Sequence, residues 1–341
     1  MNKMTLKNET EAIKNAKTIP TNILYPEERA ALAMRSLYID RGYRRFKLGT
    51  FEDYDFYAKY KEFFATGGVL TFNGSDGRLL ALKPDVTLSV VKNYSHDDGL
   101  LKVYYAENIF RYSRRAGGFR EIQQTGVECI GDLSPADISE VIMLAEASLS
   151  VALDGCNYSL CLSHMGLLTA LFDELAIKGD VAQTALTLLG GKNLHGVEEL
   201  YKNGTISVEV RDTLAALITT FGPPTSVIPK VMALCHSEAS LSAVRELEEI
   251  CSALDKDGSN GHLSIDFSVI SDMNYYNGIV MRGYLDGIPE GVLSGGRYDG
   301  LLERMGKRAG AIGFAVRLDL LERTDISSKN NTHAVNNSAG G

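Results

Sequence analysis

The clearest period-two pattern in the chain runs from Leu101 to Gly131. From Lys102 to Phe110, β-branched and aromatic residues alternate with polar ones, and from Glu121 to Ile130 they alternate again. Between them lies the basic, glycine-containing stretch Ser113-Arg114-Arg115-Ala116-Gly117-Gly118. Two such runs around such a loop predict an antiparallel hairpin. Residues four apart on a strand share a face, which puts Gln124 and Glu128 side by side. That face is either the floor of a polar pocket or the solvated side of an amphipathic hairpin, and spacing alone leaves both open.

The flanking pattern alternates helix and strand. PEERAALAMRSLYIDRGY from Pro26 has proline and two acids at its start, then the stripe Ala30, Met34, Leu37, Tyr38, and a stop at Gly42. Arg45 to Leu48 reads as a short strand. A hairpin is expected from Val69 to Leu82 with its turn at Asn73–Gly77, and Lys83-Pro84-Asp85 leads into a helix beginning at Asp85 or Thr87. Ser134-Pro135-Ala136-Asp137 has the form of a helix start, with Ser134 as cap. Asn157 to Leu162 is a strand candidate, followed by a helix from about His164 to Ile177. Residues 178–258 are helix-patterned and read as an insertion. Strands resume at Leu263–Val269, Tyr276–Tyr284 and Gly291–Ser294. Ser294-Gly295-Gly296 then reads as a turn into a helix over Tyr298–Met305, with another helix over Ile312–Glu322. Residues 1–20 are expected to form a flexible leader and 324–341 a disordered tail, flanking one domain over 21–323. Strands, a helical block and further strands indicate α+β with a mixed or antiparallel sheet.

Composition narrows the function classes. Hydrophobic residues make up 45% and charged residues 23% of the 341, as in a soluble globular protein. The net charge of −8 offers no basic footprint for nucleic acid. Five cysteines form no CxxC pair and there is no secretory segment, so they are expected to be reduced thiols in the cytoplasm. No apolar run reaches the ~20 residues of a membrane span.

There is no GxxxxGK[ST], GxSxG or HExxH, and the six histidines are dispersed. Neither a metal nor a cofactor is expected. Ser294-Gly295-Gly296-Arg297-Tyr298-Asp299 suits a phosphate-cradling turn or, equally, a tight strand-to-helix connection. What remains is carboxylates (Asp85, Glu128), an amide (Gln124), arginines (Arg111, Arg297) and tyrosines (Tyr275, Tyr276, Tyr298). Such a set suits recognition of an amino acid: carboxylates for the ammonium, arginine for a carboxylate or phosphate, tyrosines against a flat ring.

At these residues the chain resembles the histidyl-tRNA synthetases. FRYSRRAGGFREIQQTGVE is similar to their second class II motif, and LSGGRYDGLLERMGKRAGAIGFAVRLDLL to their Gly-Gly-Arg-Tyr-Asp segment and third motif. DMNYYNGIV resembles their histidine-specific segment, ALKPDVT their Arg-Pro-Glu-Gly-Thr, and LSHMGLLTALFDEL a further stretch, so that residues 22 to 323 are covered in order. The resemblance implies a class II synthetase-like fold, a largely antiparallel sheet flanked by helices. It also implies a histidine seat at Asp85, Thr87, Gln124, Glu128 and Tyr276, with Tyr275, Arg111, Arg297 and Tyr298 retained around it.

The departures are as informative. Ser271 stands where synthetases carry an arginine for the reacting carboxylate and phosphate, Leu320 where their third motif carries the ATP-gripping arginine, and Gly49 replaces the first motif's proline. Losing two cations that face developing phosphate charge speaks against adenylation. The combination is similar to the ATP phosphoribosyltransferase regulatory subunits, a short branch related to these synthetases. It implies a non-catalytic subunit with L-histidine as effector, a short-form phosphoribosyltransferase catalytic subunit as hetero-oligomeric partner, and a self-associated dimer. The competing expectations are a truncated histidine-activating enzyme and an RNA-binding module.

Overall fold

A computed structural model describes residues 23–63, 68–95, 99–113, 116–153, 155–256, 261–270 and 275–322. The expected leader and tail lie outside these, as do Arg114, Arg115 and Ser271.

Helix α1 (Pro26–Asp40) has Pro26 at its start, Glu27 and Glu28 in its first turn, and Ala30, Met34 and Tyr38 as its buried stripe. It ends before Gly42, whose φ of +81° is a conformation that glycine adopts without strain. Next come β1 (Arg44–Arg45), β2 (Phe51–Asp53), α2 (Tyr54–Lys59) and the expected hairpin of β3 (Thr71–Asn73) and β4 (Leu79–Leu82), after which α3 spans Thr87–Asn93. The long hairpin follows as β5 (Leu101–Ser113) and β6 (Gly118–Gly131), paired from Leu101↔Ile130 to Ser113↔Gly118. Helix α4 (Pro135–Ser150) opens with a reciprocal cap: Ser134 Oγ accepts from Asp137 N, and Asp137 Oδ2 accepts from Ser134 N at 3.0 Å. Strand β7 (Tyr158–His164) leads into α5 (Met165–Glu174), where His164 Nδ1 caps the helix by accepting from Leu167 N at 3.0 Å.

Residues 179–256 supply α6 (Gly179–Gly190), α7 (Leu194–Lys202), α8 (Val208–Thr219), the two-residue β8 (Phe221–Gly222), α9 (Pro224–Met232) and α10 (Glu238–Lys256). The chain then returns to the sheet as β9 (Leu263–Asp266), β10 (Ile279–Leu285), β11 (Leu293–Arg297), α11 (Asp299–Arg304) and β12 (Gly310–Arg317).

Among the described residues, nine strands form one sheet in the order β1-β5-β6-β12-β11-β10-β7-β9-β8, and β2-β4-β3 form a second, antiparallel one. The larger sheet is mostly antiparallel, but β1 pairs with β5 and β7 with β9 in parallel. The fold is α+β with a mixed sheet.

Three local expectations change. Of Arg45–Leu48, only Arg45 lies in a strand, β1, which begins at Arg44. The helix expected over Ile312–Glu322 is strand β12 and then a 3-10 turn at Leu318–Leu320. Ile312, Phe314 and Val316 alternate with Gly313 and Ala315, and partners on both sides, β6 and β11, satisfy the backbone. The leucines at 318 and 321 had suggested a helical stripe that the strand pairing overrides. Gly295 and Gly296 are not a turn either, because they lie inside β11. A Cβ on Gly296 would fall 2.7 Å from the Tyr276 ring, and one on Gly295 would collide with Gly313 and Phe314. These glycines serve close packing.

The sheet buries both faces differently. Tyr104, Val127, Ile312, Phe314 and Val316 turn to a core shared with α1, α4, α5 and the helices of 179–256. Val103, Tyr105, Ile109, Ile130 and Ala311 turn to a smaller cluster with Val86, Val90, Tyr298 and Leu302. Helix α3 covers that second face. Beyond its C-terminal end Lys307 Nζ donates to the carbonyls of Val91, Lys92 and Tyr94 at 2.5, 3.0 and 2.5 Å.

Candidate functional site

A cavity of about 420 Å³ opens on this second face. Its floor follows from strand register. One row runs Glu128–Gly313–Gly296–Val280, and its neighbour runs Gly126–Ala315–Ser294–Arg282. The residues between Glu128 and Arg282 are small, so the sheet backbone itself forms the bottom of the cavity.

Glu128 is 1% exposed. Thr87 Oγ1 donates to its Oε1 at 2.6 Å and Tyr298 OH to its Oε2 at 2.5 Å. Burial nevertheless prevails over these two donors and, with the nearby Asp85 charge adding to it, raises the Glu128 carboxyl to about 8. The phenol of Tyr298 is raised well above its ordinary value by burial and then by Glu128. Gln124, four residues earlier on the same strand, is 7% exposed and lines the cavity, and its amide makes no hydrogen bond to any described residue.

Asp85 caps α3 and faces the rim. Its Oδ1 accepts from Leu88 N at 2.9 Å and its Oδ2 from Arg111 Nη2 at 2.8 Å. Arg111 Nε donates to Pro84 O at 2.7 Å, so part of its guanidinium is already engaged. The Lys83-Pro84-Asp85 segment is itself fixed. Lys83 forms an ion pair with Glu107, and Phe110 N donates to Lys83 O at 2.9 Å. Tyr275 and Tyr276 meet edge to face at 4.6 Å between centroids, and Tyr275 lies 6.0 Å from Tyr298. Burial raises both the Tyr275 and Tyr276 phenols above their ordinary value. The result is an aromatic wall over a floor with one buried carboxyl, an amide that no described residue engages and, at the rim, an arginine.

Eight of the nine expected residues line this cavity: Asp85, Thr87, Arg111, Gln124, Glu128, Tyr275, Tyr276 and Tyr298. Arg297 stands apart. Its stem lies against Gly278, its Nε donates to Asp299 Oδ2 at 2.8 Å and its Nη1 to Glu246 Oε1 at 3.3 Å. Glu246 Oε2 in turn meets His164 Nε2 at 3.3 Å, so Arg297 joins α10 to the sheet outside this cavity. Sequence reasoning missed Arg282, Tyr105 and Phe63 on the cavity lining, and offered Ser294, also on it, only as part of a phosphate-cradling turn. The one available signal was an arginine in the middle of the apolar strand IVMRGYL. Among the described residues, no group of three or more His, Cys, Asp or Glu could hold a metal ion, and no helix is long and apolar enough to cross a membrane.

Known proteins of two related kinds resemble the chain. The family model described as histidyl-tRNA synthetase matches residues 24–321. An ATP phosphoribosyltransferase regulatory subunit of Ruminiclostridium cellulolyticum is 30% identical over 303 residues, covering 87% of this chain and 72% of that protein. A structure described as an ATP phosphoribosyltransferase regulatory subunit/histidyl-tRNA synthetase from Bacillus halodurans superposes with TM-score 0.77 at 26% identity, covering 87% of this chain and 78% of that one. A chain of the ATP phosphoribosyl transferase complex from Thermotoga maritima shares the fold at TM-score 0.68 and 22% identity, with coverage of 86% and 97%.

Proposed function

The chain belongs to the histidyl-tRNA synthetase family and, within it, to the ATP phosphoribosyltransferase regulatory subunits, and from that premise we propose that its cavity senses histidine and does not activate it. The chain is a non-catalytic regulatory subunit of ATP phosphoribosyltransferase in histidine biosynthesis.

One observation carries the sensing role. Asp85, Thr87, Gln124, Glu128 and Tyr276 share one cavity wall. Leu320, at the position of the ATP-gripping arginine, is 1% exposed in the core on the other face of the sheet. The seat is kept while a cation for phosphate charge is gone, and without such cations adenylation has little electrostatic support. In this reading the Gln124 amide and the carboxylates Glu128 and Asp85 take the polar atoms of histidine, Arg111 its carboxylate, and Tyr275, Tyr276 and Tyr298 its ring. The signal goes to a short-form phosphoribosyltransferase catalytic subunit in a cytoplasmic hetero-oligomer that contains a dimer of this chain. Coupling of this kind is reciprocal: the inhibited assembly binds histidine more tightly than the active one.

The test is reconstitution. Mixing the chain with a short-form catalytic subunit should raise phosphoribosyl transfer, and histidine should then lower it. Histidine-dependent pyrophosphate exchange by the isolated chain would overturn the reading.

A further inference from the structure

The cavity is larger than one amino acid requires. At ~30 Å³ per water it has room for about fourteen waters. Histidine has far less bulk than that, since its covalently bonded atoms pack more closely than separate waters. The second floor row extends the lining beyond the row of Glu128, towards β10. There Arg282 of β10 stands directly opposite Ser294 of β11, the two being cross-strand partners on the same face. Both line the cavity, and neither makes a hydrogen bond or ion pair with any described residue. Their row neighbours, Ala315 and Cys161, are too small to cover a guanidinium. Gly291 leaves room for the arginine stem, since a Cβ there would fall 3.0 Å from Arg282 Cγ. An arginine with its stem packed, lining a cavity with a hydroxyl beside it, is an arrangement that takes an oxyanion in two-point contact.

Three strand spacings of ~4.8 Å separate β6 from β10, so the strands that bear Glu128 and Arg282 lie roughly 14 Å apart. We propose that Arg282 and Ser294 form a second, anionic subsite, which takes a phosphate group either as a free ion beside the amino acid or as part of a phosphorylated ligand spanning the cavity. This deepens the sensing role proposed above but rests on different residues. It assigns the cavity two ligands or one bipolar ligand.

Calorimetric titration of the full chain with inorganic phosphate, and separately with glycerol phosphate, tests the subsite at low ionic strength with and without saturating histidine. The expected result is one phosphate site per chain that Arg282→Gln weakens about tenfold or more and Ser294→Ala less. Glu128→Gln should leave phosphate affinity unchanged, and Arg282→Gln should leave histidine affinity within about twofold. Tighter binding of the ester identifies a phosphorylated ligand, and equal binding a free ion. Phosphate affinity that is absent in the wild type, or unaltered by Arg282→Gln in a variant whose melting temperature is unchanged, overturns the proposal. Failure of histidine binding with phosphate binding intact would sink the sensing role and leave the anionic subsite standing.

Discussion

Gly313 and Glu128 lie directly opposite each other on adjacent strands, and the Glu128 carboxylate occupies the space a side chain on Gly313 would need. The acid is therefore seated on bare backbone. Gly313→Ala must displace Glu128 from Thr87 and Tyr298 or push β12 from β6. Overpacking of this kind costs about 1–3 kcal/mol. A denaturant melt should show that loss, and titration should show histidine affinity falling together with it. A variant that binds histidine normally would mean Glu128 is not part of the seat.

Gln124→Ala removes an amide that no described residue engages, so folding should hardly notice it. If the amide takes a charged group of the ligand, histidine affinity should fall about tenfold. The reconstituted enzyme would then need correspondingly more histidine for half-inhibition. Unchanged inhibition in this variant and in Glu128→Ala would move the effector site elsewhere.

The Glu128 carboxyl has an ordinary value of 4.5 and is raised by burial to about 8. Between these values the folded chain holds a proton that the unfolded chain has released. The contribution of this group to stability is fully present below about 4.5 and declines as pH rises towards 8. Its slope is at most about 1.4 kcal/mol per pH unit. Glu128→Gln should flatten that decline, so its melting temperature relative to wild type should rise from pH 5 to pH 8. Parallel curves for the two proteins would show that Glu128 does not titrate in this range.

An ammonium placed beside Glu128 favours the carboxylate and so expels the proton. Histidine binding at pH 7 should release up to about one proton per chain. The observed enthalpy would then differ between Tris and HEPES in proportion to their ionisation heats. Buffer-independent heats would place the ammonium away from Glu128.

Arg297 separates structural from ligand-facing roles. Its ion pairs with Glu246 and Asp299 tie α10 to β11 and α11. Arg297→Ala should lower stability by about 1–2 kcal/mol, as for loss of partly buried charged hydrogen bonds, while leaving histidine affinity within about twofold. A selective loss of affinity would return Arg297 to the site.

What could be read from the sequence followed its short periods. Gln124 and Glu128 were placed on one face by their spacing, and Pro26, Ser134 and Asp137 marked their helix starts correctly. Period failed where two patterns overlapped. Phe314, Leu318 and Leu321 fit a helix, and only the strands on either side of β12 decide against it. Gly295 and Gly296 suggested a turn because the sequence does not reveal that Tyr276 and Phe314 crowd them. Arg282 went unread because a single charge in an apolar strand looks like a solvent-facing residue until register shows it over a floor of small side chains.

Lys307 holds the far end of α3 by donating to three carbonyls, while Asp85 holds the near end. Both ends of the helix that presents Thr87 are thus fixed by the fold itself. Capture of a ligand then requires no ordering of α3, so this helix adds no slow step to association. Differences in affinity between ligands should appear in how long each stays.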